Sequence, residues 1–239
     1  AAYNQNKRRI NYYLKHLLAS CVSQRRAAKL LRVSPTTIAR KVIFLGSVCR
    51  DEHQVFLREN THQIKRLQFD ELQTIEHTKC KPLSVAVTVS SYDRKILGIE
   101  VSSMPATGYL AAISRKKYGY RPDHRQRGLK KLFTTIATSL SDNPILCSDE
   151  HPYYKPIIKR FFPHALYHQS KGVKAAVTGQ GELKKQRRDP LFYINHTLAM
   201  LRANINRLVR KTWCTTKDPA RLMDHLSIYM SVHNTMLTA

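Results

Sequence analysis

The hydrophobic residues change their period near Lys65, and this change divides the chain into two parts. Before Lys65 the apolar residues recur at helical spacing, whereas after it short runs alternate apolar and polar side chains, as strands do. From Lys65 onward the order is strand, strand, strand, helix, strand, helix, strand, helix. This order predicts an α/β domain in which an antiparallel hairpin joins parallel strands and helices cover both faces of the sheet.

The boundaries of these elements follow from apolar runs, turn residues and prolines. Residues 104–125 are basic and lack a clear period, so they are predicted to be irregular. The predicted strands are 65–71, 83–91, 96–102, 144–149 and 165–168, and the predicted helices are 129–140, 153–162, a long one from 190 to at least 209, and 219–233.

Three helical patterns precede the change of period. Residues 7–20 form the first; Ser23 can cap a second that runs to about Leu31, and Ser34 can cap a third with Pro35 at its first position. Two short helices joined by a tight turn are typical of a DNA-binding helix-turn-helix, although an ordinary helical hairpin has the same pattern. The residues of the third helix that would face DNA are Thr36, Thr37, Arg40 and Lys41.

The predicted domain organisation follows. Residues 1–49 form the helix-turn-helix domain, 50–64 a helical or irregular linker, and 65–239 the α/β domain. The chain begins Ala1-Ala2-Tyr3 without an initiator methionine, which is typical of a fragment.

The charge balance indicates the partner. The chain has 41 Lys and Arg against 16 Asp and Glu, a net charge of +25 spread along its whole length. A folded surface this basic repels itself unless a polyanion neutralises it, so we expect a nucleic-acid partner. A ribosomal-type protein and a binder of anionic membranes are the alternatives from charge alone.

The cysteines and the hydropathy exclude other classes. The five cysteines stand far apart without a CxxC pair, so they predict neither a zinc site nor a disulfide framework. No signal peptide and no apolar run long enough to cross a bilayer is present. We therefore expect no membrane partner and a cytoplasmic location with reduced thiols.

Two acids stand in apolar surroundings. Asp70 and Asp149 each follow an apolar strand pattern, where a carboxylate is unfavourable unless a positive group compensates it. If the two strands are neighbours, the pair suits Mg²⁺ or Mn²⁺, which prefer hard oxygen ligands. The alternative is that both acids simply begin loops. Glu71 and Glu150 rank second, because alternate residues of a strand point to opposite faces.

Three sequence runs carry a resemblance to a known family. They are FDELQT at 69–74, CSDEHPYY at 147–154 and LRANINRLVRKTWCTTK at 201–217. In this order the chain resembles the DDE-type insertion-sequence transposases, which have a ribonuclease-H-like core, and most of all the insertion-sequence-one group. The resemblance covers roughly residues 65–217 and extends to the helix-turn-helix in front.

The resemblance implies the positions of three metal ligands. Asp70 matches the acid on the first strand and Asp149 the acid that ends the fourth strand. The third position, a Glu in the family, falls on Asn195, whose amide oxygen can still bind a metal. The family's basic residue two turns later falls on Arg202. Glu182 and His196 are the alternative third ligands.

The resemblance also implies an activity. The chain would be a DNA transposase that binds the terminal inverted repeats of its element, cleaves a strand and transfers it to target DNA with two Mg²⁺ or Mn²⁺ ions. It would act as a homo-oligomer in the bacterial nucleoid. The alternatives are a catalytically impaired DNA-binding regulator and a nuclease of the same fold. Further DNA contacts would come from basic residues of the long helix, namely Arg202, Arg207, Arg210 and Lys211.

The family often carries a zinc-binding segment in front of the helix-turn-helix. No cysteine cluster of that kind occurs in this sequence.

Overall fold

A computed structural model describes residues 5–171, 189–209 and 214–237. The chain begins with three helices, α1 (Ile10–Leu18), α2 (Gln24–Leu30) and α3 (Pro35–Glu59). Both predicted caps are confirmed: the hydroxyl oxygens of Ser23 and Ser34 accept hydrogen bonds from the backbone N–H groups of Arg26 and Thr37. Each cap satisfies one of the N–H groups that a helix start leaves without a partner.

Small residues let these helices cross closely. Ala27 and Ala28 of α2 are buried against the other two helices, whereas Leu30 is 59% exposed. The rest of this core consists of aliphatic side chains and one cysteine, namely Leu14, Leu18, Ile38, Val42, Leu45, Cys49 and Ile228.

The third helix extends beyond the predicted helix-turn-helix. It continues to Glu59, so the first ten residues of the predicted linker 50–64 belong to α3. It packs against α8 (Pro219–Met236), and a Cβ on Gly46 would lie 2.7 Å from the Cβ of Asp224. A glycine is therefore needed at position 46 for this close approach.

Five strands form one mixed sheet in the order β3-β2-β1-β4-β5. The first three strands are antiparallel neighbours, and β4 and β5 run parallel to β1. The predicted fold class, a ribonuclease-H-like mixed sheet flanked by helices and preceded by a small helical module, is confirmed. The strands are β1 (Ile64–Glu76), β2 (Thr78–Ser90), β3 (Ile96–Ser103), β4 (Leu140–Ser148) and β5 (Leu166–Gln169).

Three strands are longer than the sequence pattern indicates. β1 runs six residues past Asp70, because it pairs with β2 through Thr74 opposite Leu83 and on to its end. For the same reason β2 begins at Thr78 and not at residue 83. β4 begins at Leu140, directly after a short 3₁₀ turn.

The helices of the second part follow the prediction with two corrections. α4 (Leu110–Tyr118) lies in the stretch predicted to be irregular. The predicted long helix from 190 to 209 is shorter, because α7 (Phe192–Asn204) stops where Ile205 becomes extended, with φ −108° and ψ 106°. The other two are α5 (Arg125–Ile136) and α6 (Tyr154–Phe161).

Each face of the sheet has its own apolar core. Leu72, Val87 and Cys147 pack with α7 and α8 on one face. Leu67 and Phe69 pack with α5 and α6 on the other face. In the described part of the chain, no helix combines the length and apolar character that crossing a bilayer requires.

Candidate active site

The register of two parallel strands brings the predicted acids together. The last aligned pair of β1 and β4 is Gln68 with Cys147, and Asp70 and Asp149 each follow two residues later. Alternation along β1 puts Asp70 on the same face as Leu72, which is the face covered by α7. Asp149 directly follows the end of β4 and lies close enough to Asp70 to raise its pKa, so the two carboxylates are neighbours.

The environment of Asp70 disfavours its negative charge. Burial raises the pKa of Asp70 to about 7, and the nearby charges of Asp149 and Glu71 raise it as well. The backbone N–H of Glu71, which donates to Asp70 Oδ1 at 2.7 Å, and the guanidinium of Arg202 act in the opposite direction. The negative charges of two neighbouring carboxylates, one of them buried, favour the binding of a cation between them. Asp70 itself lies inside β1 and not at its end, which corrects the prediction.

Asp149 begins the loop after β4 and is held by short contacts. Its Oδ1 accepts a hydrogen bond from the backbone N–H of His151 at 3.3 Å. Its carbonyl oxygen accepts from Ser148 Oγ at 2.7 Å and from Gln169 Nε2 at 3.2 Å. The neighbouring strand β5 therefore fixes the backbone that carries the second carboxylate.

Asn195, the predicted third ligand, lies in the first turn of α7 and is exposed. Its amide Nδ2 donates to Asp189 Oδ2 at 2.8 Å. Across residues 5–171, 189–209 and 214–237, no group of three or more His, Cys, Asp or Glu side chains could hold a metal ion. A cation at this site would therefore depend on the carboxylate pair and neutral oxygens such as that of Asn195.

Of the two alternative third ligands, the structure describes only His196, and its contacts are with residues other than the carboxylate pair. His196 Nδ1 lies 3.3 Å from a guanidinium nitrogen of Arg94, in the turn between β2 and β3, and its ring packs on Phe192. Glu182 lies outside the described residues.

The second-ranked acids lie elsewhere. Glu71 is on the opposite face from Asp70, as predicted, where its carboxylate accepts a hydrogen bond from the hydroxyl of Tyr153. Burial raises the pKa of Glu71. Glu150 is exposed in the loop after β4.

The predicted DNA contacts of α3 divide into two groups. Thr36 and Arg40 are exposed, and Thr37 is half-buried with its hydroxyl 2.9 Å from that of Ser34. Lys41 is buried, and its Nζ donates to Asn11 Oδ1 at 2.6 Å. Burial lowers the pKa of Lys41. Lys41 is thus a correction, because it links α3 to α1; Thr36 and Arg40 are the exposed residues among the predicted contacts.

The predicted contacts after α7 are also revised. Burial lowers the pKa of Arg207, which lies among the charges of Asp218 and Asp224 at the start of α8. Arg207 is therefore partly buried near two acids, which argues against the predicted role as an exposed DNA contact. Arg202, in contrast, lies close enough to Asp70 to lower its pKa. Arg210 and Lys211 lie outside the described residues.

Gln68 and Asp189 are functional candidates that sequence reasoning missed. Gln68 is 2% exposed; its Nε2 donates to the carbonyl of Pro190 at 2.9 Å, and its Oε1 accepts from the N–H of Ile194 at 3.0 Å. Asp189 Oδ1 accepts from the N–H of Leu191 at 2.9 Å. Together they fix the start of α7 beside β1. A buried glutamine two residues before Asp70 is the signal that could have identified the first of them.

Comparison with known proteins adds a distant likeness of structure. No protein-family model matches the chain, and no curated protein matches it. The chain is similar to the Mos1 strand transfer complex, with 12% identity over 98% of this chain and 79% of that one and a TM-score of 0.29. It is also similar to a pre-cleavage Mos1 transpososome, with 11% identity over 98% and 80% of the two chains and a TM-score of 0.24. Both TM-scores are low, so the function proposed below rests on the carboxylate pair and its surroundings.

Proposed function

We propose that this protein is a DNA transposase of the DDE type that cleaves the ends of its element and joins them to target DNA. The observation that carries the proposal is the nearness of Asp70 and Asp149, which each lie two residues beyond the last aligned pair of β1 and β4, with Arg202 close enough to Asp70 to lower the pKa of that carboxyl. The net charge of +25 supplies the general attraction for DNA.

The fit of the site to a divalent cation follows from its donors. Asp70, Asp149 and the amide oxygen of Asn195 are hard ligands of the kind that Mg²⁺ or Mn²⁺ prefers. Burial and the nearby charge of Asp149 raise the pKa of Asp70, so a bound cation would stabilise the ionised pair. Bound cations would supply activation of the attacking oxygen and stabilisation of the leaving oxygen.

The protein's own groups position the DNA for two in-line displacements at phosphorus. In the first, water attacks the scissile phosphate; the bond to the 3′-oxygen breaks, and that oxygen leaves as a free 3′-hydroxyl. In the second, this 3′-hydroxyl loses its proton and attacks a target phosphodiester; the bond between that phosphorus and the 3′-oxygen of the target strand breaks, and the oxygen leaves as a new 3′-hydroxyl. Arg202 would bind a non-bridging phosphate oxygen beside Asp70, and positioning of this kind supplies a large part of such catalysis.

The helix-turn-helix would recognise the element ends. Thr36 and Arg40 lie at the exposed start of α3, which is capped by Ser34. In this class of motif the start of the second helix enters the major groove. Two element ends must be held together for joining, so we expect the active form to be a homo-oligomer.

A second function is favoured by one observation. The resemblance places a Glu at the third-ligand position, whereas this chain has the neutral Asn195, so the site has one negative charge fewer than the family pattern. The amide of Asn195 is also bonded to Asp189. A DNA-binding regulator without catalytic activity would tolerate this change.

One assay separates these functions. The full chain is incubated with Mg²⁺ and with DNA that carries the inverted repeats flanking its gene, and the products of cleavage and joining are resolved on a sequencing gel. Joined products support the transposase, and their loss in Asp149→Ala but not in Asp142→Ala, an exposed acid of β4, assigns the chemistry to the pair. Cleavage without joining identifies a nuclease, and binding without cleavage identifies a regulator.

A further inference from the structure

The helix between β3 and α5 has almost no core of its own. Ser114 is the only buried residue of α4, and its hydroxyl donates to the carbonyl of Cys80 at 2.7 Å. Most of the helix surface is therefore in contact with solvent, although the helix is held at one defined point.

The exposed side chains of this segment combine aromatic rings with cations. Tyr109 is 80% exposed and Tyr120 is 79% exposed, and they precede and follow the exposed Ile113 along the chain. The remaining members are three consecutive exposed cations, Arg115, Lys116 and Lys117. We call these six residues the α4 surface.

Among the described residues, no acid is paired with the cations of this surface. The sequence contains no Asp or Glu between Glu100 and Asp123. Glu100 is bound to Lys131 and Asp123 to Arg125. Within the described ranges, none of the three cations of the α4 surface forms an ion pair with a carboxylate.

The α4 surface lies beyond the carboxylate pair along β1. Arg121, which follows it, donates to Glu76 Oε2 at 2.9 Å and to the carbonyl of Met104 at 3.1 Å. Glu76 ends β1 six residues after Asp70, which corresponds to about 20 Å at about 3.3 Å per residue. DNA that reaches the carboxylates can therefore extend on to the α4 surface.

We propose that the α4 surface binds DNA beside the cleavage point and that its two tyrosines stack on unpaired bases there. The proposal rests on the proposed function, since it names a second contact of the same DNA. The three cations would lie along the phosphates. Bases inside a duplex offer no free face, whereas an unpaired base stacks on an exposed aromatic ring regardless of its identity. Strand cleavage frees an end of the cut strand, and a free end can separate from its complement.

The test measures binding of the full chain in an Asp149→Asn background, so that cleavage does not intervene. Two fluorescent DNAs are compared by anisotropy: a duplex, and the same duplex with a single-stranded tail. Tyr109→Ala combined with Tyr120→Ala should weaken binding of the tailed DNA by about tenfold or more and that of the duplex by less than about twofold. Tyr92→Ala, which removes a tyrosine that is 94% exposed in the turn after β2, should change neither.

The charge contribution is tested separately. Lys116→Gln with Lys117→Gln should reduce the slope of log affinity against log salt concentration by about 1.5. The matched control is Arg58→Gln with Lys65→Gln, two exposed cations near the opposite end of β1, which should leave the slope unchanged. Thermal melting by circular dichroism verifies that every variant is folded.

Each other outcome overturns the proposal. Equal weakening on both DNAs would exclude base stacking, and unchanged binding of both would exclude the α4 surface while the proposed function stands. If the tyrosine variant loses self-association in sedimentation and keeps its DNA affinity, the surface contacts a second copy of the chain. If the protein without α4 substitutions binds neither DNA, the proposed function fails as well.

Discussion

Gln68 accepts a hydrogen bond from the backbone N–H of Ile194 at 3.0 Å, and this bond ties the strand that carries Asp70 to the helix that carries Asn195. The same side chain donates to the carbonyl of Pro190. Because Gln68 is buried, both ends of its amide replace contacts that water would otherwise provide. Gln68 therefore helps to set the position of Asn195 relative to Asp70.

Replacing Gln68 by leucine should destabilise the fold and misplace α7. The buried N–H of Ile194 and the carbonyl of the exposed Pro190 lose their partner, so we expect the free energy of unfolding to fall by about 1–3 kcal/mol. Urea denaturation followed by circular dichroism measures this. Gln63→Leu is the control, since Gln63 is exposed and its amide reaches only the carbonyl of Glu59 at 3.3 Å. Equal effects of the two substitutions would mean that the amide of Gln68 does not hold α7.

Because α3 and α8 cross closely at Gly46, we predict that a side chain larger than a hydrogen atom destabilises the protein there. Gly46→Ala would place a methyl group 2.7 Å from the Cβ of Asp224, and the helices would have to separate. We expect a loss of about 1–3 kcal/mol, although alanine favours the helix. Ser47→Ala, at the next and exposed position of α3, should be neutral or slightly stabilising. Thermal unfolding of both variants measures these changes in stability. A Gly46→Ala protein as stable as the original would contradict the close approach of α3 to α8.

A buried histidine makes stability depend on pH. Burial lowers the pKa of His225 to about 4, and its Nε2 is bonded to the carbonyl of Leu18 at 2.9 Å. The folded state favours the neutral ring, while the unfolded chain titrates near its ordinary value of about 6.5. The stabilisation is therefore complete above pH about 6.5 and is lost as the pH falls towards 4.

Between pH 7 and pH 5 this difference should remove about 2 kcal/mol from the free energy of unfolding. The measurement is a series of urea midpoints at several pH values. In His225→Gln the pH dependence should be smaller by that amount, whereas His62→Gln, which changes an exposed ring, should keep it. An unchanged pH dependence in His225→Gln would show that the ring is protonated in the folded state.

Because the residue at the third-ligand position is neutral, a carboxylate placed there should increase the affinity for a divalent cation. Asn195→Glu should strengthen Mn²⁺ binding, because it adds a negative ligand on the first turn of α7. Ala203→Glu adds the same charge to an exposed position near the end of that helix and should have little effect. Calorimetric titration compares them. Weaker binding in Asn195→Glu would indicate that residue 195 does not face the cation, and repulsion from Asp189 would be the physical reason.

The sequence predicted the sheet and its two acids because both signals are local. Asp70 and Asp149 stand next to apolar runs, and their strands are recognisable without their partners. The true length of β1 was not predictable in this way, since it depends on pairing Thr74 with Leu83 across the hairpin. The helix α4 was missed because it buries a single residue and so has no apolar period.

The environment of the charged residues depends on contacts between distant parts of the chain. From the sequence, Lys41 is predicted to contact the DNA groove. It lies one turn after the buried Ile38, however, and points inward, where it donates a hydrogen bond to Asn11 of α1. Arg207 likewise lies near the charges of Asp218 and Asp224, because α7 ends at Asn204 and the chain changes direction before it. Neither partner can be identified from spacing alone.

Titration of the full chain with Mn²⁺, followed by electron paramagnetic resonance of the free ion, tests most directly whether Asp70 and Asp149 share a cation. We predict binding that weakens by about tenfold or more in Asp70→Asn and in Asp149→Asn, since each change removes one of two charged ligands. Asp142→Asn, an acid of β4 with a side chain that is 90% exposed, should bind as the original does. Mn²⁺ binding that is equal in all four proteins, or absent from the original, would contradict the shared site.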